Sequence, residues 1–356
     1  MTGEKEKVLV LGGGAAGMEA AAWVSRCGHP VLLVEREREL GGRLLQLGRL
    51  YPDMEDAAAL LGALREKIAG SPGVDVWLNT SLEDVQRAGG GFVVTLGRDG
   101  KSYVERVEAL ILATGAAYFQ AEKCSEYGYG RYQGVLTSLD LERALKEARA
   151  AGEFRLSGTG APPRKVAFFQ CVGSRMRTGL GVRGRPYCSK ICCMYTAKQA
   201  RELKDLLPDV ECYVFYMDVR AAGKGYEEFV RETMERYRVH YLRGRPAKVF
   251  PGNGSLLIRA EDTLMGVPLE LEVDLVVLAA AQEPLPETVR LVESLQLARD
   301  PHGFLRSSAA AGSLKAGEGV YHAGACEFPK SVAETLVQAQ AAALQAVCDL
   351  RMRERI

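Results

Sequence analysis

KVLVLGGGAAGMEAAAWVSRCGHPVLLVE, residues 7–35, decides the architecture. Lys7–Leu11 is a short strand-forming run, and a glycine-rich turn follows at once. The alanine-rich stretch from Ala15 to Cys27 is helical in character, and Val31–Glu35 is a second strand. Strand, glycine turn, helix and strand in so short a span make a βαβ unit. Within it, Gly12-x-Gly14-x-x-Gly17 has the spacing of a dinucleotide cradle. Gly12 permits the tight turn, Gly14 lets the backbone approach a pyrophosphate, and Gly17 lets the helix pack close to the strand. The helix N-terminus then faces the phosphate charge. Glu35 ends the second strand, 18 residues after Gly17. A carboxylate there accepts hydrogen bonds from ribose hydroxyls and repels a 2′-phosphate. A glycine-rich turn with no ligand accounts poorly for strand, helix and acid all standing in place.

Working outward, two features favour a flavin dinucleotide over a nicotinamide one. Gly41-Gly42-Arg43 follows the acid closely, and Ala113-Thr114-Gly115 closes the domain after a buried strand. Both resemble the flavin half of two-dinucleotide-domain reductases. The residues expected to hold FAD in this half are Gly12, Gly14, Ala15, Ala16, Gly17, Glu35, Arg36, Gly42, Arg43, Leu44, Ala113, Thr114 and Gly115.

The plan then repeats. Phe92–Leu96 and Val104–Val107 read as exposed strands of a meander, and Leu139–Ala151 as a charged helix. Ser157–Arg164 (SGTGAPPR) has the composition of a linker. Val166–Gln170 opens a second unit, with a helix over Ile191–Leu207 and a strand over Val210–Met217. A helix at Tyr226–Tyr237, hairpin strands in Ala247–Ile258 and Leu269–Val273, and a buried strand at Asp274–Ala281 complete it. Gly319–Ala325 and the helix Ser331–Asp349 are expected to return to the first domain. The fold class is therefore α/β with two Rossmann-like domains. The first is expected over 1–160 and 285–356, the second over 161–284.

Composition narrows the function classes. The net charge of +1 offers no field to draw the chain onto nucleic acid or an acidic membrane. No apolar run approaches the ~18 residues that a membrane-spanning helix needs. The charged start, MTGEKEK, does not read as a signal peptide. Nine cysteines without an export signal point to thiols or metal ligands rather than structural disulfides, and to the cytoplasm.

In the second unit a nicotinamide site would need its own glycine fingerprint. Instead the strand runs into Cys171-Val172-Gly173-Ser174-Arg175, then a glycine- and arginine-rich loop, then Tyr187-Cys188-Ser189-Lys190-Ile191-Cys192-Cys193. Four cysteines, Cys171, Cys188, Cys192 and Cys193, fall within 23 residues. Cys188 and Cys192 share a face if a helix begins at the former. Soft thiolates at a strand end and helix start suit an iron–sulfur centre or zinc. Structural zinc usually shows paired CxxC knuckles, and a redox disulfide commonly uses CxxC; neither motif is present. Clustered thiols favour an iron–sulfur set over inert packing. Cys27, Cys124, Cys212, Cys326 and Cys348 are scattered and read as packing residues. Arg175, Arg177, Arg183 and Arg185 read as a solvated or charge-neutralising basic loop.

CVGSR with YCSKICCMYTAKQA resembles the family of heterodisulfide reductase A-subunits, as do Tyr226–Val249 and AGACEFPKSVAETLVQAQAAA, Ala323–Ala343. The resemblance covers nearly the whole chain. It implies a [4Fe-4S] cluster on Cys171, Cys188, Cys192 and Cys193, and a segment over the flavin that includes Gly324, Ala325 and Lys330. Ala325 replaces the aspartate usual in two-domain flavoproteins, so flavin contacts there are expected partly from backbone. Lys330 is expected beside the isoalloxazine, steadying an anionic reduced flavin; the alternative is a solvated loop lysine. The cysteine pair that the family often carries after the Gly-Gly segment is missing at Tyr51–Asp56, and no ferredoxin-type CxxCxxCxxxC occurs. The chain looks like the short bacterial form.

The resemblance implies an electron-transfer subunit of a heterodisulfide reductase-like complex in sulfur or energy metabolism. Its implied partners are iron–sulfur and CCG-domain subunits and a second copy of the chain. Nucleic acid and direct membrane insertion are excluded, and any membrane docking runs through other subunits. Two enzyme alternatives stay open: a quinone-interacting subunit of the kind found in sulfate reducers, and a stand-alone NAD(P)H-dependent disulfide or acceptor reductase. A third reading keeps FAD only as a structural group in a scaffold.

Overall fold

Val8–Leu11 lies inside a six-stranded sheet ordered Lys315–Gly317, Val320–His322, Ala109–Leu112, Val8–Leu11, Val31–Val34, Val74–Trp77. The computed structural model describes residues 6–156, 160–177, 184–308 and 312–353. The central strands run parallel, Val8 lying beside Val31 on one side and Ala109 on the other. Strands covered on both faces read as unbroken apolar runs, and VLVL, VLLV and ALIL are almost wholly buried. The helix Ala15–Arg26 forms the first crossover. Ala20, Ala21 and Ala22 have no exposed surface, and these small side chains let the helix Val332–Arg353 pack against it. The closing strand and helix thus join the first sheet, as expected.

Thr80–Ala88, Gly91–Arg98 and Lys101–Val107 form an antiparallel meander. The middle strand is not exposed, contrary to the sequence expectation. Phe92, Val94 and Leu96 alternate onto one face and pack with Leu110 and Leu112 in the core.

The second sheet is parallel, ordered Val135–Thr137, Leu275–Ala280, Lys165–Val172, Glu211–Tyr216, His240–Arg243. Helix Ser138–Ala151 starts at a reciprocal cap. Thr137 Oγ1 accepts from the Asp140 N–H, and the Thr137 N–H donates to the Asp140 carboxylate. The helix stops at Gly152, which takes a left-handed conformation.

By its contacts the chain divides into one unit of Met1–Leu45, Ala58–Ala117 and Glu283–Ile356 and another of Gln46–Ala57 and Tyr118–Gln282. The boundary expected at 160/161 is not where the units part. Val135–Thr137 pairs with Leu275–Ala280, which draws the residues around it into the second sheet. The linker-like Ser157–Arg164 is therefore a connection inside the second unit; residues 157–159 lie outside the described residues. Among the described residues no helix is long and apolar enough to cross a membrane.

Candidate functional site

The glycine turn of the first unit is tight on three sides and open on one. Gly12 has φ +110°, and a β-carbon on it would lie 2.5 Å from the Ala113 carbonyl oxygen. A β-carbon on Gly17 would lie 1.7 Å from the Gly12 carbonyl oxygen, so helix and turn touch through bare backbone. At Gly14 the only neighbour is the Gly42 Cα at 3.9 Å. The helix that follows has no side-chain cap at Gly14 and no acid in its first turn. Its first N–H groups are left for another acceptor, which is what a pyrophosphate requires.

The other expected cofactor residues gather round this turn. Gly41 bridges to Gly14, and Gly42–Leu45 forms a short 3-10 turn with Leu44 buried. Arg43 donates to the Ala116 carbonyl at 3.3 Å, just past Ala113-Thr114-Gly115. Thr114 shares a 2.7 Å hydrogen bond with Thr288, on a helix, Pro286–Ser294, that the sequence reading did not find. Gly324, at φ +80°, approaches from the far strand, where a β-carbon would lie 2.9 Å from the Ala16 β-carbon. Ala325 sits in the same short turn, Gly324–Cys326. Glu35 is buried and oriented: Oε2 accepts from the Gly13 N–H at 2.6 Å and Oε1 from the Glu37 N–H at 2.9 Å. Each oxygen keeps a further lone pair for a hydroxyl donor. Arg36 is not drawn in; it is exposed and pairs with Glu37 at 3.4 Å.

Lys330 is neither a solvated lysine nor an unengaged cation. Its ammonium donates to the Gly324 carbonyl at 2.7 Å, the Glu327 carboxylate at 2.9 Å and the Phe328 carbonyl at 2.9 Å. Three acceptors use its three hydrogens, so it braces the Gly324–Phe328 turn. Gln338 completes the brace, accepting from the Gly324 N–H and donating to Glu327. Gln338 was missed; its place in ETLVQAQ, two helical turns past Ser331, was the available signal. His322, also missed, is fully buried below this turn, with Nε2 3.2 Å from Ser307 Oγ.

In the second unit the penultimate residue of the strand Lys165–Val172 is Cys171, whose φ is +60°. Backbone bonds then lace the two sides of the loop: Arg175 N–H to the Tyr187 carbonyl, Met176 N–H to the Arg185 carbonyl, Arg185 N–H to the Gly173 carbonyl. This closure brings the Cys188 side to the Cys171 side. Helix Cys192–Leu206 begins at the third of the four clustered cysteines, so Cys188 lies before it and not on its face. The backbone is left-handed just before the helix, at Lys190 with φ +62°. Arg183 lies outside the described residues.

All four cysteines are free, and Cys171, Cys192 and Cys193 are buried. Electrostatic interaction links the four to one another. Burial, reinforced by the neighbouring sulfurs, pushes the Cys192 thiol well up; burial carries Cys193 to about 12. Such thiols stay protonated until a cation takes the proton's place. No group of three or more His, Cys, Asp or Glu among the described residues is arranged to hold a single metal ion. The donor set nevertheless suits a four-iron cluster, in which each thiolate binds a different iron. The Cys193 thiol donates to Gln170 Oε1 at 3.4 Å, and Gln170 Nε2 is buried with no partner among the described residues. With the amide turned over, Nε2 would donate to a thiolate there. Elsewhere Cys124, Cys212 and Cys326 are buried packing residues as expected, whereas Cys348 is exposed on its helix.

Residues 6–155 match the model of the pyridine nucleotide-disulphide oxidoreductase family. The chain is 32% identical to the iron-sulfur A-subunit of the CoB–CoM heterodisulfide reductase of Methanocaldococcus jannaschii, over 94% of this chain and 63% of that protein. The chain is heterodisulfide reductase A-subunit-like. A Methanopyrus kandleri protein of the same kind is 31% identical over 96% of this A-subunit-like chain and 64% of its own length. The A-subunit-like chain thus spans less than two thirds of the curated relatives it matches. Thioredoxin reductase of T. acidophilum superposes with a TM-score of 0.66 at 14% identity, covering 97% of this chain and 99% of that one. That likeness shows the two-dinucleotide-domain flavoprotein fold.

Proposed function

We propose that this chain is a flavin-dependent electron-transfer oxidoreductase subunit, with FAD in the first unit and a [4Fe-4S] cluster on Cys171, Cys188, Cys192 and Cys193 in the second. It works in the cytoplasm, as a homodimer within a heterodisulfide reductase-like complex that includes iron–sulfur and CCG-domain subunits. The observation that carries the reading is the replacement of a nicotinamide turn by four electrostatically linked thiols at the end of a central strand. The names of the relatives agree with it.

When bound, FAD would exchange electrons in pairs and the cluster singly. Glu35 orients the ribose end through the two acceptor oxygens that the Gly13 and Glu37 N–H groups hold in place. The uncapped N–H groups after Gly14 take the pyrophosphate charge. Lys330, Glu327 and Gln338 keep the Gly324–Ala325 backbone fixed, so that its polar groups serve where other flavoproteins use a carboxylate. Around the cysteines, burial excludes water, and Gln170, which accepts from the Cys193 thiol, would donate to a thiolate there once its amide turned over.

Anaerobic purification tests the reading. About four irons and one FAD per chain are expected, with Cys192→Ser losing most of the iron and keeping the flavin. Wild-type protein containing zinc, or an unchanged iron content in the variant, would refute the cluster assignment.

A further inference from the structure

Arg175 occupies an unusual position for a basic-loop residue. Its backbone is left-handed, with φ +56°, a conformation that side chains other than glycine seldom take. Its N–H is tied to the Tyr187 carbonyl at 3.0 Å, and its side chain is mostly buried. The guanidinium forms a forked pair with the Asp218 carboxylate, at 2.5 Å from Nη1 and 3.1 Å from Nη2. Its charge also acts on Cys171, four residues before it. A solvated loop arginine needs none of this.

Asp218 belongs to the loop after strand Glu211–Tyr216, and it too faces the cysteines. Arg220 closes on it from the other side, Nε at 3.1 Å and Nη2 at 3.2 Å. The Asp218 backbone carbonyl lies 3.8 Å from Cys193 Sγ. Arg220 interacts with Cys188 and Cys193, and Arg245 with Cys171. Three guanidinium groups and one carboxylate therefore stand against four sulfurs.

We infer that Arg175 is a positioning residue that sets the electron affinity of the group held on Cys171, with Asp218 acting as the opposing charge. The inference rests on the proposed cluster. Each electron gained by a thiolate-ligated cluster adds one negative charge. Donors and cations at the sulfurs favour the reduced form and raise the potential; a nearby carboxylate does the reverse. Arg175 is a cation beside one of the four sulfurs. Asp218 aims that cation and offsets part of its charge.

The two residues should therefore act in opposite directions. In the anaerobically purified protein, an EPR-monitored redox titration reads the cluster potential directly. Arg175→Met is expected to lower the reduced-to-oxidised ratio at a fixed applied potential about tenfold, a fall of about 59 mV for one electron. Arg175→Lys, which keeps the charge without the fork, should fall between that variant and wild type. Asp218→Asn, which leaves every guanidinium in place, should raise the potential. Shifts of opposite sign with iron content unchanged are the expected result. If Arg175→Met does not retain iron, the rise in Asp218→Asn decides the matter. An unchanged potential, or shifts of the same sign, would overturn this inference and leave the cluster standing. Wild-type protein without an EPR-active cluster would overturn both.

Discussion

Gly14 and Gly17 stand three residues apart in one turn and answer to opposite constraints. Gly17 is pressed against the Gly12 carbonyl, whereas Gly14 looks into space that the protein leaves open. Gly17→Val should therefore fail to give soluble folded protein. Gly14→Val should fold, with a melting temperature within a few degrees of wild type, and carry less than roughly a tenth of the flavin, since the valine occupies pyrophosphate space. Absorbance near the flavin band after gel filtration separates the two; full flavin in folded Gly14→Val would refute the cradle. The close packing at Gly17 and the space at Gly14 were legible in the sequence, because the spacing encodes them. His322 was not, because a lone histidine in a short strand carries no pattern. Burial, helped by the Lys330 charge and opposed by Glu327, holds its imidazole down to about 4, against 6.5 in an ordinary setting. Between those values the unfolded chain binds more protons. The contribution is thus complete above pH 6.5 and is lost as pH falls towards 4. Urea midpoints at pH 4.5 and pH 7.5 should differ clearly in wild type and by much less in His322→Asn.

At the scale of elements, the turn after strand Lys165–Val172 separates an electron relay from a nicotinamide reductase. Gly173, its one glycine, does not open towards a ligand: a β-carbon there would lie 2.3 Å from the Phe119 ring. NADH and NADPH should bleach the flavin far more slowly than ~1 s⁻¹ in anaerobic stopped-flow, although dithionite reduces it readily. Bleaching at ordinary turnover rates would revive the reductase. Secondary structure was readable here wherever apolar runs were long. It failed at short elements whose identity comes from pairing, such as Val135–Thr137, whereas the cysteine helix begins within a residue of the expected Ile191. The helix that carries Cys192 and Cys193 also holds a buried charge network. Lys198 pairs with Glu142 and lies 3.6 Å from Glu202, and it donates to the Arg49 carbonyl at 3.2 Å; Glu142 accepts from the Gly48 N–H at 3.2 Å. Segment 46–57 is thereby fastened to the second unit, which no sequence pattern announced. Lys198→Met strips the cation from buried Glu142, leaves Glu202 with Arg149 alone, and should cost about 3–5 kcal/mol in urea unfolding. A loss below about 1 kcal/mol would mean the carboxylates are already neutral.

For the whole molecule, both Rossmann-like units were foreseeable because each repeats strand, helix and strand around a parallel sheet. The allocation of residues 118–160 was not. Their composition runs smoothly from the first unit, and only the pairing of Val135–Thr137 with Leu275–Ala280 places them in the second. The first unit is thus assembled from three separated pieces of chain, while the second draws nearly all of itself from Tyr118–Gln282. On a ribosome that order has a consequence. The second sheet has all its strands once Leu275–Ala280 has emerged. The first still lacks Val320–His322, which pairs with Ala109–Leu112 and carries the chain into the Gly324 turn. Residues 6–45 and 58–117 must wait, with one edge of their sheet uncovered, while the rest of the second unit is synthesised. The thiol loop is therefore complete before the dinucleotide cradle can close.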